Sequence, residues 1–282
     1  MNDASNADQV EFWSGPSGQN WVTHEAGQDH LLQSVADLVL ARAGLNEGDR
    51  VVDIGCGTGA LSLGCAAAVG VRGHVLATDI STPMLARAAE RLAPFPQAET
   101  RNADAQVADW PGEAFDHAVS RFGVMFFADP PTAFANIARG LKSGGRMTFA
   151  AWAPASDNPF WELPQRIASG ILGKPPRVEP NTPGPMGLAD RDLTVQRFEA
   201  AGLSDVICTP EAVDLVFDHG AAELARLMTK VGPGARIINL FEASEVQVAQ
   251  VADNIAVALA SYDHGGQVRL PAMINLIEVR VP

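Results

Sequence analysis

An apolar run near residue 50 ends in an acid and passes directly into a glycine-rich loop. Residues 51–61 read VVDIGCGTGAL, with glycine at positions 55, 57 and 59. Glycine adopts backbone conformations that other residues avoid, and its missing Cβ lets a ligand approach the main chain closely. The small residues that follow, 58–69, can open a helix whose first turn offers free N–H groups. This spacing predicts a strand, a loop and a helix that together bind a nucleotide-like ligand.

Two ligands fit this loop. Gly55, Gly57 and Ala60 satisfy the dinucleotide pattern G-x-G-x-x-G/A, which leaves an NAD enzyme open. Asp79 ends the next predicted strand, about where a ribose-binding acid belongs. Asp53 argues against NAD, because a carboxylate facing a pyrophosphate costs roughly 1 kcal/mol or more. An ammonium or sulfonium group suits Asp53 better, so the D-x-G-x-G-x-G pattern favours S-adenosylmethionine.

Five segments in chain order resemble the motifs of class I S-adenosylmethionine-dependent methyltransferases, specifically the ubiquinone/menaquinone C-methyltransferase-like group that acts on small molecules. The segments are 53–59 (first motif), 77–81 (second motif), 102–105 (adenine-edge motif), 115–122 (fourth strand) and 141–146 (the turn before the fifth strand). Together they cover roughly residues 45–152. This ordered set is far more specific than a single glycine-rich loop.

The resemblance implies an α/β fold: a Rossmann-like, doubly wound, mostly parallel seven-stranded sheet with an antiparallel C-terminal hairpin. The β/α alternation in the sequence agrees with it. Strands are predicted near 50–54, 74–80, 98–103, 115–121, 145–152, 205–217 and 268–281. Helices are predicted near 29–43, 58–69, 82–93, 131–141, 190–201, 221–230 and 243–262.

The chain is expected to form a single methyltransferase domain over residues 1–282, with its core at about 45–152 and 190–282. Lid segments are expected at about 1–28 and 153–189, with 219–263 as a third candidate. The first contains tryptophans and glycines in a pattern too irregular for a core helix, and the second contains prolines that forbid one long regular element. These segments would cover the cofactor and the acceptor.

The resemblance also assigns site residues. Asp79 would bind the ribose, Asp104 the adenine edge, and Asp53 the charged methionine end of the cofactor. The full set of predicted cofactor-binding residues is Trp21, Asp53, Gly55, Cys56, Gly57, Thr58, Gly59, Asp79, Ile80, Met84, Asp104, Ala105, Ser120 and Phe122. No metal is predicted.

The implied reaction is in-line displacement at a sulfonium methyl, for which a protein mainly supplies proximity, alignment and a dry site. A general base is needed only for a weakly acidic acceptor. His24 is the candidate base, and Arg121 is a candidate partner for an acceptor carboxylate. Asp129 precedes two prolines, which is also the start of a motif that adenine-methylating enzymes carry directly at the end of the fourth strand. Here it lies too far beyond that strand for this role, and it is predicted to cap a helix.

The amino-acid composition restricts the classes of molecule that the protein is expected to bind and the compartment in which it is expected to lie. The net charge of −13 and pI near 4.8 argue against nucleic acid as a partner. The three cysteines lack metal-ligand spacing, which suggests a reducing compartment, and the polar N-terminus does not resemble a signal peptide. No apolar run is long enough to span a membrane. We therefore expect a cytoplasmic protein with a small-molecule acceptor, and a homodimer is compatible with the sequence. The alternatives left open are a nucleoside-binding sensor and an NAD-dependent oxidoreductase.

Overall fold

The apolar runs form the strands of one sheet in a computed structural model that describes residues 6–179 and 181–282. The strands are β1 (Arg50–Ile54), β2 (His74–Asp79), β3 (Ala98–Asn102), β4 (Phe115–Arg121), β5 (Leu141–Trp152), β6 (Ile207–Phe217), β7 (Asp263–His264) and β8 (Gln267–Arg280). Predictions that concern residues 1–5, in the first lid segment, and Pro180, in the second, lie outside the described residues.

The sheet has the order β3-β2-β1-β4-β5-β8-β6, and the two-residue β7 pairs with β8. The first five strands are mutually parallel, whereas β8 runs antiparallel to both β5 and β6. The order reverses between β1 and β4, and ligands of open α/β sheets bind at the carboxyl ends of strands beside such a switch. The predicted Rossmann-like sheet with antiparallel C-terminal strands is confirmed.

Twelve α-helices connect and cover these strands within the described residues. They are α1 (Ala7–Ser14), α2 (Pro16–Thr23), α3 (Glu25–Leu31), α4 (Gln33–Ala43), α5 (Ala60–Val69), α6 (Thr82–Leu92), α7 (Pro130–Gly140), α8 (Pro159–Leu172), α9 (Arg191–Ala200), α10 (Gly220–Met228), α11 (Gly232–Leu240) and α12 (Glu245–Leu259). Asp129 caps α7 by accepting a hydrogen bond from Thr132 N at 3.2 Å, as predicted. None of these helices is long and apolar enough to cross a membrane.

The N-terminal region is more helical than predicted. The segment expected to be irregular contains α1, α2 and α3, and the single helix expected over 29–43 is divided at Leu32 into α3 and α4. Gly15, in an extended conformation, and Pro16, at the first position of α2, separate α1 from α2. Helices this short are marginal in isolation, so tertiary packing, which the sequence pattern does not contain, stabilises them.

Two further predictions were wrong. The proline-rich segment contains the 14-residue helix α8, with Pro159 in its first turn and Pro164 inside it. Pro164 lies early enough that only the carbonyl of Phe160 loses its helical partner. Residues 141–146 begin strand β5 rather than forming a turn before it, and an irregularity in the β4–β5 pairing accommodates them. Helix α11, which packs against α8, was not predicted at all.

Candidate functional site

The glycine-rich loop connects β1 to α5 at the switch in strand order. Gly55 has φ +67°, and a Cβ there would lie 2.7 Å from the Cα of Gly123. Gly57 has φ +56°, but a Cβ on it would meet no atom closer than Nε1 of Trp21, at 3.9 Å. Gly55 is therefore required by packing against the chain after β4, whereas Gly57 faces open space.

Asp53, in β1, directs its carboxylate toward this space. Its side chain is fully buried, and Oδ2 accepts a hydrogen bond of 2.6 Å from Ser62 Oγ. Burial raises the pKa of Asp53 to about 7, although the Ser62 hydrogen bond and the charge of Arg121 act in the opposite direction. Oδ1 is buried and has no hydrogen-bond partner among the described residues. A buried acceptor of this kind is costly unless a ligand donor or cation satisfies it.

Asp79, at the end of β2, is bonded to the loop itself. Its Oδ2 accepts from Gly57 N at 2.8 Å, and its Oδ1 accepts from Ser81 N at 2.7 Å. Burial raises the pKa of Asp79, while hydrogen bonds from the backbone of Ser81, Gly57 and Ile80 lower it. Asp79 therefore holds the glycine loop against the start of α6, a positioning role that the sequence analysis did not foresee.

Asp104, which follows β3, is bonded to the N-terminal segment. Its Oδ1 accepts from Asn6 Nδ2 at 2.8 Å and from Gln106 N at 2.9 Å. The Asn6 carboxamide oxygen in turn accepts from Ala128 N at 2.7 Å, and Asn6 is 5% exposed. Sequence reasoning missed Asn6, because nothing in a single asparagine near the N-terminus indicates contact with residues a hundred positions away. The Asn6 carboxamide, which donates and accepts hydrogen bonds, therefore lies beside Asp104, the residue predicted to bind the edge of adenine.

The short N-terminal helices cover the loop. Ser81 Oγ donates to the carbonyl of Trp13 at 2.6 Å, and the Trp13 ring contacts Phe126 edge-on, with centroids 5.4 Å apart. The remaining cavity beside the loop is about 50 Å³, and its lining residues are Trp21, Leu32, Asp53, Gly55, Cys56, Gly57, Thr58, Leu61, Arg121 and Phe122. Sites for small molecules are typically about 300–1,000 Å³, so this space, which Trp21 of α2 partly covers, is smaller than such a site.

A series of ion pairs connects α3 with the glycine-rich loop and with α6. Asp29 Oδ1 lies 3.4 Å from an Arg121 terminal nitrogen, and its Oδ2 lies 2.8 Å from Arg91. Arg91 also donates to the carbonyl of Thr58 at 3.0 Å. Farther out, Glu25 of α3 pairs with Arg87 at 2.6 Å. The sequence analysis identified Arg121 but not Asp29 or Arg91, whose pairing depends on how α3 and α6 pack.

Aromatic rings lead from the cavity toward α8. Phe122 has φ +67°, a strained conformation for a residue other than glycine. Its ring stacks on Trp152 at 4.3 Å with an interplanar angle of 2°, and Trp152 stacks on Phe160 at 5.7 Å. The buried Nε1 of Trp161, beside Trp152, has no partner among the described residues. These rings form a buried aromatic cluster, and Phe122 is its member that lines the cavity.

Several of the residues predicted to bind the cofactor do not line the cavity. Ser120 Oγ donates to the carbonyl of Ile54 at 2.7 Å and accepts from Gly123 N at 3.1 Å, so it joins the ends of β1 and β4. Gly59 is the N-cap residue of α5, and a Cβ on it would lie 3.2 Å from the Cβ of Ala88. Ile80 follows β2, and its carbonyl accepts from Ser14 Oγ. Met84 lies in the first turn of α6, Ala105 follows β3, and both side chains are buried.

His24, the candidate base, and Cys56, a predicted cofactor-binding residue, differ in position. His24 is half-buried between α2 and α3 and is not among the residues that line the cavity. Burial lowers the pKa of His24, and the nearby charge of Lys230 lowers it further, so the imidazole is neutral near pH 7. Cys56 lines the cavity, but burial raises the pKa of its thiol well above the ordinary value, which agrees with a packing role.

Comparison with known proteins agrees with the motif analysis. Residues 51–145 match the methyltransferase domain family. The ubiquinone/menaquinone biosynthesis C-methyltransferase UbiE of Chromobacterium violaceum is 34% identical over 143 residues, which are 48% of this chain and 57% of UbiE. The chain thus matches only about half the length of its curated relatives.

Solved structures with low sequence identity share the fold. A putative methyltransferase from Bacillus halodurans aligns with a TM-score of 0.54 at 16% identity, over 88% of this chain and 98% of that one. The [4+2]-cyclase SpnF aligns with a TM-score of 0.52 at 20% identity, over 88% and 80% of the two chains. Residues 51–145 are thus similar to a methyltransferase domain, and the chain shares its Rossmann-like fold with these solved structures.

Proposed function

We propose that this protein transfers a methyl group from S-adenosylmethionine to a small, apolar or aromatic organic acceptor. One observation carries the proposal: Asp53, whose buried Oδ1 has no hydrogen-bond partner among the described residues, lines the same cavity as Gly57 of the glycine loop. This arrangement fits a cation at the methionine end of the cofactor, and it would repel the pyrophosphate of NAD. Because one relative is named a quinone C-methyltransferase, quinol-like acceptors are the first to test.

Three of the predicted acids have a chemical task in this proposal. When bound, the cofactor supplies an already electrophilic methyl group on a sulfonium. Asp53 accepts from the ammonium group, Asp79 from the ribose hydroxyls, and Asp104 from the adenine amino group. A flat acceptor would stack on Phe122, which lines the cavity and is backed by the stacked ring of Trp152, and water would be excluded there.

Proton removal is needed only for some acceptors. His24 does not line the cavity, so its proposed role as a base requires α2 and α3 to move. An acceptor that is already ionised needs no base, and alignment alone then accounts for catalysis. We therefore expect acceptors with acidic C–H or O–H groups to react faster than alcohols.

The experiment that tests the function is a product search by mass spectrometry. The purified protein is incubated with cofactor carrying a deuterated methyl group and with quinols, phenols and apolar carbon acids. We expect a labelled product that gains one methyl group, and we expect it to disappear when the cofactor is replaced by S-adenosylhomocysteine. Tight binding of S-adenosylhomocysteine without transfer to these acceptors or to a metabolite extract would instead support a sensor.

We expect the N-terminal helices to open when the cofactor binds, and this movement can be measured. Because about 50 Å³ is smaller than a nucleoside needs, we expect α2, whose Trp21 lines the cavity, to shift when the cofactor enters. Trp21→Ala should lower turnover at least about tenfold while changing the melting temperature by only a few degrees, because Trp21 covers the loop rather than filling the sheet. Hydrogen exchange over residues 6–32 and 153–189 should slow when S-adenosylhomocysteine binds. Strong protection with and without ligand would identify these segments as fixed structure.

A further inference from the structure

Asn6 connects the start of α1 with the loops that follow β3 and β4. Its Nδ2 donates to Asp104 Oδ1 at 2.8 Å and to Gln106 Oε1 at 3.4 Å. Its Oδ1 accepts from Ala128 N at 2.7 Å. The residue is buried, so water competes little for these groups. Both ends of the carboxamide are therefore satisfied by distant segments, 98 and 122 positions along the chain.

The groups around Asn6 match the hydrogen-bonding edge of adenine. A carboxamide offers an NH2 donor and an oxygen acceptor side by side. Adenine offers the same pair, since its amino group donates and the neighbouring ring nitrogen accepts. Asp104 and Gln106 provide acceptors for the donor, and the backbone N–H of Ala128 provides a donor for the acceptor. The partners that Asn6 uses are thus the kind of partners that adenine needs.

Asn6 also forgoes the hydrogen bond that its position favours. It directly precedes α1, and asparagine is among the best N-cap residues because its side-chain oxygen accepts from the second or third N–H of the helix. Asp129 and Asp190 cap α7 and α9 in this way. Within the described residues, no N–H of α1 donates to the Asn6 side chain, whose oxygen is taken by Ala128 N. That oxygen therefore has two alternative partners, and its release from Ala128 frees it to cap α1.

We propose that Asn6 is an intramolecular mimic of adenine, and that the cofactor's adenine displaces it. In the ligand-free protein its carboxamide occupies the hydrogen-bonding edge at Asp104 and Ala128; on binding, the carboxamide leaves and caps α1. The inference rests on the proposed cofactor site and adds an autoinhibitory contact to it. A contact made only in the ligand-free state lowers the apparent affinity for the ligand, because binding must first break it.

Asn6→Ser tests the displacement by titration calorimetry. Serine caps a helix about as well as asparagine, but its short hydroxyl cannot bridge Asp104 and Ala128. The variant should bind S-adenosylhomocysteine about 5- to 10-fold more tightly than wild type, because only its ligand-free state is destabilised. S-ribosylhomocysteine lacks the base, so its affinity, measured by displacement of S-adenosylhomocysteine, should change by less than about twofold.

Melting temperatures provide an independent readout. Without ligand, Asn6→Ser should melt a few degrees below wild type, since it has lost a buried contact. At the same saturating concentration of S-adenosylhomocysteine the two proteins should melt at the same temperature, because the contact is absent from both bound states. A deficit that persists at saturation would show that Asn6 keeps its contact in the complex and would overturn the proposal.

Asn20→Ala is the matched control. Asn20 of α2 donates to the carbonyl of Lys230, a contact of the N-terminal helices that does not involve Asp104. Its loss should change the affinities for the two ligands by the same factor. In Asn6→Ser, an equal gain for both ligands would reduce Asn6 to a restraint on the helices, and weaker or unchanged binding of S-adenosylhomocysteine would exclude displacement; each result would overturn the proposal. Failure of wild-type protein to bind either ligand would instead refute the cofactor site itself.

Discussion

Gly57→Val should abolish detectable binding of S-adenosylhomocysteine, a loss of more than about 100-fold, while the sheet remains folded. Gly57 has φ +56°, a conformation that a β-branched residue resists. Its Cβ would also enter the open space near Trp21 Nε1, which the ligand needs. The loss therefore combines strain in the loop with direct exclusion of the ligand. Calorimetry measures the binding, and circular dichroism verifies the fold.

Gly44→Val separates these two causes. Gly44 ends α4 with φ +61°, close to the value at Gly57, and a Cβ there meets nothing within 4 Å. Valine at this position should cost a similar backbone strain, of order 1–2 kcal/mol, with no effect on ligand affinity. If Gly57→Val still bound S-adenosylhomocysteine like the wild type, the glycine loop would not be the cofactor cradle.

The sheet and the loop were predictable because the residues that form them are close in sequence. The run from Val51 to Gly59 specifies a strand, an acid and a turn within nine positions. Parallel strands then bring their carboxyl ends to one edge, so Asp53, Asp79 and Asp104 were expected to lie near one ligand. The prediction of α6 and α7 also succeeded, because capping residues and prolines mark where helices start.

The covering elements could not be predicted in the same way. Asn6 reaches Asp104, and Asp29 reaches Arg121 across 92 positions, through contacts that depend on packing. Helix α8 passes through Pro164, although local propensity opposes it, because the helix is buried against α11. Ser120 was expected to contact the cofactor, but its hydroxyl connects the ends of β1 and β4. The sequence alone does not determine whether such a hydroxyl binds a ligand or the backbone.

Asp79→Ala should weaken S-adenosylhomocysteine binding by roughly 1.5–3 kcal/mol, since it removes a charged acceptor from the predicted ribose site. The structure adds a second source of loss. Asp79 also accepts hydrogen bonds from Gly57 N and Ser81 N, and an alanine would leave those buried donors without this partner. The variant should therefore show both a weaker affinity and a modest decrease in melting temperature.

The two contributions of Asp79 can be separated with a ligand that lacks one ribose hydroxyl. Wild-type protein should prefer S-adenosylhomocysteine over its deoxyribose analogue, and Asp79→Ala should lose that preference, because only the ribose contact distinguishes the two ligands. Loss of the loop hydrogen bonds alone would weaken both ligands equally and leave the preference unchanged. That outcome would restrict Asp79 to positioning the glycine loop. Unchanged affinity in an intact variant would remove Asp79 from the site altogether.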